Sequence, residues 1–488
     1  MKVGIIGGGI AGLSAAWTLE KARRQGTDVE YRLFERSDRL GGIIRTERLP
    51  DGAILEAGPD SFITEKPWAA EFCRELGLKN DLIGSKDAER RTFILLNNRL
   101  VPLPDGLQFF VPTKIGPVAF SPLFSWGTRL RFALEYLWAP TRVHRDGSDE
   151  DESVASFVKR HFGSEVVERL ADPLLAGIYG GAADQLSVKA VLPRMAQFEA
   201  THGSVIRGML ASRKAKAGEN LNAIPTTARP LFTTLKGGMQ QMVDAVASQL
   251  NADWLHVATA VGRLEYSSSI SPPWRAQTSA DVFDFDAVVL AMPAWSAAAL
   301  LNDIHAELAA QLDSIPYSSS ITLNLGYRKL GLGTALEGFG FLIPRAEGRR
   351  LLACTFPQNK FPHRAAGQRA FFRCFLAGDS AEEAMNLSDD EVAQIAGREL
   401  HQILGIRGAP ELVRVWRWRR AMPQYVVNHT ARVAEINRLR KQLPGLALAG
   451  NAYAGIGVPD CIRTGSEAAI ELLGSRAAVQ QPASPSVK

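Results

Sequence analysis

The chain has 488 residues, of which 46% are hydrophobic and 22% are charged. This composition excludes a disordered chain, a collagen and a small disulfide scaffold. The 56 basic residues exceed the 51 acidic residues by five and are scattered along the chain, so we expect no nucleic-acid partner. At about 150 residues per domain, the length predicts two or three domains.

The first forty residues predict one βαβ unit. An apolar strand at 2–6 leads into the glycine turn 7–12, a helix follows over 13–24, and a second strand over 29–34 ends at Glu35. The later predicted elements, in chain order, are a helix over 71–78, helices between 153 and 210, a basic linker over 212–220, a helix over 236–250, strands near 255–266 and 287–292, β-like runs at 321–327 and 370–376, a strand at 446–449 and a helix over 464–473.

The four cysteines lie far apart in the sequence, so we predict neither a metal site nor a disulfide framework. This usage favours a reducing compartment. We find no apolar run of about 18 residues or more, and no charged leader before the first strand, so neither a spanning helix nor a secretory signal is predicted. We expect a cytoplasmic protein, for which contact with the inner face of a membrane stays open.

The glycine turn satisfies the GxGxxG pattern directly after a strand and at the start of a helix. The first glycine permits the tight turn, the second lets the backbone approach a pyrophosphate, and the third allows the helix to pack closely on the strand. A carboxylate at the end of the second strand can accept hydrogen bonds from both ribose hydroxyls. The pattern therefore predicts a dinucleotide site formed by Gly7, Gly8, Gly9, Ile10, Ala11, Gly12 and Glu35. Its alternative is a structural glycine turn with an incidental surface glutamate.

The next segments favour FAD over NAD. The runs Arg39-Leu40-Gly41-Gly42 and Glu56-Ala57-Gly58-Pro59-Asp60-Ser61 resemble the flavin amine-oxidase superfamily, in which an Arg-x-Gly-Gly turn wraps the flavin phosphates. Two other patches, 236–239 with 259–261 and 448–451, are similar to the same superfamily. The resemblance implies non-covalent FAD and a main-chain contact from Val261 to the adenine, although an ordinary strand position is the alternative for Val261.

Three further patches, at 174–187, 338–340 and 453–462, resemble the protoporphyrinogen and coproporphyrinogen oxidases of haem synthesis, over nearly the whole chain. The resemblance implies that Gly177 faces the flavin across the substrate and that Leu342 and Phe361 sandwich the tetrapyrrole; a core position is the alternative for the last two. Besides the glycine turn and Glu35, the resemblance implies further cofactor contacts from Arg36, Arg39, Gly42, Ile43, Gly58, Pro59, Asp60, Ser61, Ile456, Gly457 and Val458.

The implied fold is α/β, of mixed α+β character, with a Rossmann-like FAD-binding domain of the amine-oxidase type. We expect that domain to comprise 1–80, 225–300 and 440–475, beside a mixed-sheet substrate domain at 301–435, a helical domain at 81–215 and a disordered tail at 476–488. The aromatic-rich stretch 107–138 has two interpretations, either buried helices or, with Lys114, Arg129 and Arg131, contact with an anionic membrane surface.

The implied reaction oxidises a porphyrinogen to a porphyrin. A meso carbon delivers hydride to the flavin, a pyrrole N–H loses a proton, and dioxygen takes the electrons to give hydrogen peroxide. Six electrons leave in pairs, so three dioxygen molecules are consumed. No side chain is predicted as a catalytic acid or base, because the cofactor carries the difficult chemistry.

The sequence leaves the substrate open between coproporphyrinogen III and protoporphyrinogen IX. It favours the first, because the Gly-Pro-Asp-Ser-Phe segment is of the bacterial type and because Thr92 stands where eukaryotic members place an arginine. A second enzyme of the haem pathway stays open as a partner. The alternatives are another enzyme of the superfamily, either an amine oxidase or a carotenoid desaturase, and a non-catalytic escort-type binding protein.

Overall fold

The computed structural model describes residues 1–137, 150–220, 229–328, 337–365 and 369–479. The parts of the predicted segments that fall at 138–149, 225–228 and 480–488 lie outside the described residues. The strands are β1 (Lys2–Ile6), β2 (Glu30–Phe34), β3 (Thr46–Arg48), β4 (Ile54–Glu56), β5 (Phe62–Ile63), β6 (Leu82–Gly84), β7 (Thr92–Leu96), β8 (Arg99–Pro102), β9 (Leu107–Gln108), β10 (Val111–Pro112), β11 (Phe232–Leu235), β12 (Leu255–His256), β13 (Val261–Tyr266), β14 (Trp274–Thr278), β15 (Val282–Phe285), β16 (Ala287–Leu290), β17 (Tyr317–Arg328), β18 (Gly340–Leu342), β19 (Ala353–Thr355), β20 (Arg369–Ala377), β21 (Leu412–Pro423) and β22 (Leu446–Leu448).

The helices are α1 (Ile10–Arg24), α2 (Trp68–Glu75), α3 (Ile115–Ala119), α4 (Trp126–Leu137), α5 (Val154–Phe162), α6 (Ser164–Val166), α7 (Asp172–Tyr179), α8 (Val188–Val191), α9 (Pro193–His202), α10 (Val205–Asn220), α11 (Gln240–Gln249), α12 (Ala294–Leu301), α13 (Ala306–Asp313), α14 (Pro357–Lys360), α15 (Asp379–Ala384), α16 (Asp389–Leu404), α17 (His429–Arg440) and α18 (Val458–Val479).

A parallel sheet of five strands, in the order β12-β2-β1-β16-β22, lies at the base of the candidate site. Ile6 pairs with Phe34 on one side and with Leu290 on the other. Both faces of this sheet are covered, which explains its short apolar strands. Side chains of α1, α11 and α18 pack on one face, and those of α12, α13 and the antiparallel sheet β13-β14-β15 pack on the other.

The first and last helices of the sheet cross closely near their N-termini. A Cβ atom at Gly465 would lie 2.0 Å from the carbonyl oxygen of Ala11, so only glycine lets α18 approach α1 this far. The Ser14 hydroxyl on α1 donates a hydrogen bond of 2.7 Å to the carbonyl of Ile462 on α18. The crossing therefore brings the segment before α18 to the glycine turn before α1.

A mixed sheet of seven strands, in the order β21-β17-β20-β19-β18-β7-β8, forms the second layer. It corrects the predicted boundary at residue 81, because β7 and β8 belong to this sheet and not to the helices. Phe93 pairs with Phe341 in the parallel β7–β18 ladder, and Phe93 also pairs with Pro102 of β8. The partner strand is about 250 residues away, so local sequence gave no sign of the pairing.

The helices α3 to α10 enclose a separate apolar core that includes Phe124, Phe132 and Phe162. Helix α10 continues to Asn220, so the predicted linker at 212–220 is wrong; lysine, arginine and alanine there are good helix formers. Helix α18 likewise reaches Val479, which makes 476–479 helical where a tail was predicted.

Helix α4 carries an apolar stripe on its outer face. Trp126, Leu130, Leu134 and Leu137 are 77%, 62%, 49% and 70% exposed, and their spacing of four, four and three places them on one side. Phe132 on the opposite side is buried. Among the residues that the structure describes, no helix is both long enough and apolar enough to cross a bilayer. The stripe is therefore a surface feature.

Candidate functional site

The three motif glycines of the turn between β1 and α1 have different surroundings. A Cβ atom at Gly7, where φ is +115°, would lie 2.2 Å from the carbonyl oxygen of Ala291. A Cβ atom at Gly12 would lie 1.9 Å from the carbonyl oxygen of Gly7. At Gly9, by contrast, a Cβ atom would meet no described atom within 4 Å. The first and third glycines thus allow the fold, and the second leaves open space in front of the helix.

The N-terminus of α1 is suited to an anion. Its N-cap residue is Gly9, which makes no side-chain capping bond, and its first turn contains no acidic residue. The amides from Ile10 and Ala11 onward therefore form the positive end of the helix dipole, and in the described chain no carboxylate of the first turn neutralises it. Phosphate groups bind at such helix ends.

Glu35 lies beside this turn with its carboxylate held in place. One carboxylate oxygen accepts a hydrogen bond of 2.8 Å from the Gly8 amide, and the other accepts bonds from the amide and hydroxyl of Ser37 at 2.8 and 2.7 Å. A carboxylate has about four acceptor sites, so one remains for a ligand hydroxyl. The Thr259 amide donates to the Glu35 carbonyl at 2.8 Å, which brings the chain leading into Val261 to the same edge.

Arg36, which follows, is exposed. The turn over 39–44 closes on the glycine turn through main-chain contacts. The Gly41 amide donates to the Gly8 carbonyl at 2.8 Å, and Gly9 and Gly41 form a parallel β-bridge. The Arg39 guanidinium donates to the carbonyls of Ile44, at 3.0 Å, and of Gly42. Burial, together with the charge of Arg45, lowers the pKa of Arg39. Arg39 therefore holds the turn in shape, and Gly42 is the residue that faces the glycine turn.

The segment from Glu56 to Ser61 runs directly against residue 43. A Cβ atom at Gly58 would lie 1.9 Å from the carbonyl oxygen of Ile43, so glycine is required there. The Ile43 side chain is 42% exposed and points away from the core. The indole of Trp418 donates to the Ala57 carbonyl at 3.1 Å, which ties the segment to the mixed sheet.

Five buried or nearly buried charged side chains support this segment, and we call them the charge cluster: Glu56, Asp60, Lys360, Arg364 and Arg373. The ammonium of Lys360 lies 3.1 Å from a carboxylate oxygen of Asp60, and a guanidinium nitrogen of Arg373 lies 3.7 Å from the other oxygen. Arg364 pairs with Glu56 at 3.0 Å. The cluster joins the segment to residues about 300 positions later.

The charge cluster shifts the ionisation of its members. Burial raises the pKa of Glu56, although Arg364 and two hydrogen bonds oppose the shift. Burial also disfavours the Asp60 carboxylate, but Lys360, Arg373 and Arg364 outweigh it and hold the pKa of Asp60 well below its usual range. Burial lowers the pKa of Lys360 despite its pairing with Asp60. Asp60 is therefore ionised, and Pro59 and Ser61 lie on either side of it.

The turn before α18 completes the cradle. The hydroxyl of Tyr425 accepts a hydrogen bond of 2.9 Å from Gly455 and donates one of 2.6 Å to the carbonyl of Asn451. The Gly457 amide donates to the carboxylate of Asp460 at 3.3 Å, and Lys66 pairs with that carboxylate at 2.6 Å. These contacts fix the position of Ile456, Gly457 and Val458 at the start of α18.

Helix α7 contacts β18 through apolar residues. A Cβ atom at Gly177 would lie 3.6 Å from a methyl of Leu342, which is an ordinary van der Waals contact; the contacts predicted for these two residues with the substrate stay predictions. Ile178 is 41% exposed beside them. A π-helical turn at Val167–Ala171 leads into α7, and such turns are frequent at functional sites. Gln424 donates to the Tyr179 carbonyl at 2.6 Å and holds the end of α7 on the mixed sheet.

The prediction that Phe361 packs against the tetrapyrrole is wrong. Its side chain is 0% exposed and packs under the Lys360 ammonium, 5.3 Å from the ring centre, and the Arg364 guanidinium at the same distance. A residue without exposed surface offers nothing to a tetrapyrrole. Phe361 is therefore a core residue, which was the alternative.

Sequence reasoning missed the supporting side chains of the site, namely Lys66, Lys360, Arg364, Arg373, Gln424 and Tyr425. Their roles depend on partners that are 26 to 394 residues away in the chain, and no local pattern marks them. Among the described residues, no group of three or more potential ligands is placed to hold a metal ion. The glycine turn, the free helix end and the Glu35 carboxylate together fit a dinucleotide with a diphosphate.

Comparison with known proteins agrees with this geometry. The family model described as flavin containing amine oxidoreductase matches residues 10–473. A coproporphyrinogen III oxidase from Bacillus subtilis is 34% identical over 472 residues, covering 96% of this chain and 97% of that protein. A mitochondrial protoporphyrinogen oxidase from Nicotiana tabacum is 30% identical over 494 residues, covering 96% and 94%. A crystal structure of an Exiguobacterium protein assigned as a protoporphyrinogen oxidase superposes with a TM-score of 0.83 at 26% identity, covering 97% of this chain and 99% of that one.

Proposed function

The chain belongs to the family of flavin-containing amine oxidoreductases, and on this ground we propose that it is an FAD-dependent porphyrinogen oxidase of haem biosynthesis. One observation carries the proposal. The turn at 39–44 bridges to the glycine turn, the segment at 56–61 lies against Ile43, and α18 crosses α1, so that these segments form one cradle. We place the substrate beside this cradle, in an apolar slot between Gly177 and Leu342. A cradle for FAD and an apolar slot are the two parts that this reaction needs.

FAD held in this cradle, without a covalent link, would accept two electrons per cycle and pass them to dioxygen, so that a six-electron oxidation takes three cycles. The remaining work belongs to the chain. The amides at the start of α1 would hold the diphosphate, and Glu35 would accept a ribose hydroxyl. Ile43 would lie against the flavin, and Ile178 and Leu342 would lie against the macrocycle and exclude water from it.

We favour coproporphyrinogen III as the substrate. Both porphyrinogens are puckered macrocycles, because their four meso carbons are saturated, and they differ in that two propionates of the first are vinyl groups in the second. Several relatives at 28–34% identity are named coproporphyrinogen III oxidase. The plant relatives named protoporphyrinogen oxidase are 28–30% identical, so the pocket charges and not overall similarity must decide.

Arg345 is our candidate for a substrate carboxylate. It follows β18, which carries Leu342, and its guanidinium lies 3.3 Å from the Asp172 carboxylate at the start of α7. The side chain is 60% exposed, so a second carboxylate can reach it. Arg345→Gln is expected to raise KM for coproporphyrinogen III about tenfold. If KM for protoporphyrinogen IX rises equally, the residue contacts a propionate that both substrates share.

The test of the proposed function is a fluorescence assay with both porphyrinogens in air, run beside an amine and a carotene. We expect a yellow purified protein, porphyrin emission that appears faster from coproporphyrinogen III, and three hydrogen peroxide molecules per porphyrin. A colourless protein that does not take up FAD would contradict the proposal. Turnover of the amine or the carotene alone would place the chain elsewhere in its family.

We also propose that the apolar stripe on α4 contacts the inner face of an anionic membrane. The substrate and product are poorly soluble in water and would be held at that membrane. Phe120, at the end of α3, is a further large apolar side chain and is 84% exposed. Arg129 lies over the Trp126 ring at 4.4 Å, and Arg131 projects from the same helix, so cations flank the stripe. An apolar face bordered by basic residues is typical of helices that lie in the headgroup region.

A further inference from the structure

The charge cluster does not balance. Glu56 and Asp60 supply two carboxylates, whereas Lys360, Arg364 and Arg373 supply three cations. The three cations are 8%, 2% and 6% exposed, so water screens them little. With all five groups ionised, the cluster therefore carries one net positive charge in the interior.

An uncompensated buried charge is costly, and its partners here are incomplete. The Nε atoms of Arg364 and Arg373 are buried and have no hydrogen-bond partner in the described part of the chain. Lys360 lies over the Phe232 ring at 4.1 Å, which offsets part of the cost. Replacing buried ion pairs by apolar residues often leaves stability unchanged or raises it. Pairing with the two carboxylates therefore does not by itself account for a third cation.

The excess charge is attached to the segment that lies against Ile43. Arg373 donates to the Gly58 carbonyl, Arg364 donates to the Asp60 carbonyl at 2.8 Å, and Lys360 donates to the Ser61 hydroxyl at 2.8 Å. The cations thus hold the main chain of Gly58 to Ser61. Because they are buried, a substrate carboxylate has no surface on which to meet them.

We propose that the charge cluster is a fixed countercharge for the negative charge that the bound flavin gains when it accepts hydride, with Lys360 as its decisive member. This inference rests on the proposed function. In that step a C–H bond of the porphyrinogen breaks, two electrons and one proton pass to the flavin, and the reduced flavin carries one negative charge while a pyrrole proton leaves. A preorganised positive charge favours the state in which the negative charge has developed. Lys360 acts through the segment and does not touch the reacting atoms.

Two variants of a single ion pair separate charge from structure. Lys360→Gln removes a positive charge and Asp60→Asn removes a negative charge, and both break the same 3.1 Å contact. We expect Lys360→Gln to lower the equilibrium constant for two-electron reduction of the bound flavin at least tenfold, about 30 mV in midpoint potential, and Asp60→Asn to raise it. The measurement is a reductive titration of the holoenzyme against a reference dye.

The control is Lys21→Gln, which breaks an exposed pair with Glu75 at 2.7 Å and is expected to leave the potential unchanged. Potentials that move in the same direction in both cluster variants would show a merely structural role and overturn the inference. If Asp60→Asn does not retain FAD, Lys360→Arg replaces it, since it keeps the charge; a potential equal to that of Lys360→Gln would overturn the inference. A colourless wild-type protein would contradict both the proposed function and this inference. A yellow wild-type protein whose cluster variants have unchanged potentials would contradict the countercharge alone.

Discussion

Tyr425 and Gly455 are joined by a hydrogen bond of 2.9 Å from the glycine amide to the tyrosine hydroxyl. Tyr425→Phe leaves this amide and the Asn451 carbonyl without their partner, which costs about 1–3 kcal/mol. Because the turn before α18 belongs to the cradle, we expect the dissociation constant of FAD to rise about tenfold. Titration of apoprotein with FAD measures it. Tyr136→Phe, at a half-exposed ring on α4, is the matched control; an equal effect there would contradict this role.

In the glycine turn, the same substitution by alanine at two different glycines separates cofactor binding from folding. Gly9→Ala adds a methyl group where no described atom lies within 4 Å, so we expect a folded protein that retains much less FAD. Gly12→Ala adds it 1.9 Å from a backbone oxygen, so we expect a loss of about 3 kcal/mol or more in the free energy of unfolding. Thermal melting of the apoproteins and the ratio of flavin to protein absorbance measure both. Normal FAD content in Gly9→Ala would contradict the proposed approach of the diphosphate.

The slot at Gly177 can be filled without touching the cradle. A Cβ atom there makes an ordinary contact of 3.6 Å with Leu342, so Gly177→Ala is expected to fold and to turn over substrate. Gly177→Leu fills the slot, and we expect kcat/KM for the porphyrinogen to fall at least about tenfold. The flavin spectrum should be unchanged in both variants. Full activity of Gly177→Leu would show that substrate binds elsewhere.

The parts of the site that depend on neighbouring residues were predictable from the sequence, and the parts that depend on distant ones were not. The turn from Gly7 to Gly12 can be recognised in the sequence because a strand, a glycine motif and a helix follow one another there. Lys360 and Asp60 meet across 300 residues, so neither carries a local sign of the other. Phe361 looked like a ligand-binding aromatic until the fold placed two cations over its ring. The same limit explains β7, whose partner strand β18 comes late in the chain, and with it the place of β8 at the edge of the same sheet.

A buried histidine of α5 links that helix to α4 and α9. His161 lies 3.0 Å from Glu135 of α4 and 3.3 Å from Glu199 of α9. Burial and Arg160 lower the pKa of His161, but the two carboxylates outweigh them and raise it above 6.5. Burial likewise opposes the Glu199 carboxylate, yet His161 and Arg160 lower its pKa to about 2.

The stabilisation by charged His161 is thus complete below about pH 6.5 and is lost as the pH rises through its folded-state pKa. We expect His161→Gln to be less stable than the wild type by about 3 kcal/mol near pH 6, with a difference that shrinks toward pH 9. Melting temperatures across this range measure it, with His202→Gln, at an exposed histidine, as the control. A difference independent of pH would contradict the charged pairing.

The stripe on α4 predicts binding to anionic vesicles. Leu130→Gln combined with Leu134→Gln removes two exposed apolar side chains, and we expect binding to phosphatidylglycerol vesicles to weaken about tenfold or more. Cosedimentation measures the bound fraction. Ile270→Gln combined with Ile470→Gln changes two side chains that are both 58% exposed but lie off the stripe. Equal losses in the two double variants would show that the stripe is not the contact.

The parallel sheet has a consequence for synthesis of the chain. Its central strand β1 is translated long before β22, which ends at Leu448, and before α18, which follows. Until those later residues have been translated, β16 lacks a neighbour on one side and α1 lacks the helix that crosses it. The nucleotide cradle can therefore mature only after residue 448 has been made, and a nascent chain stalled before residue 440 would expose apolar strands to chaperones before it could bind the cofactor.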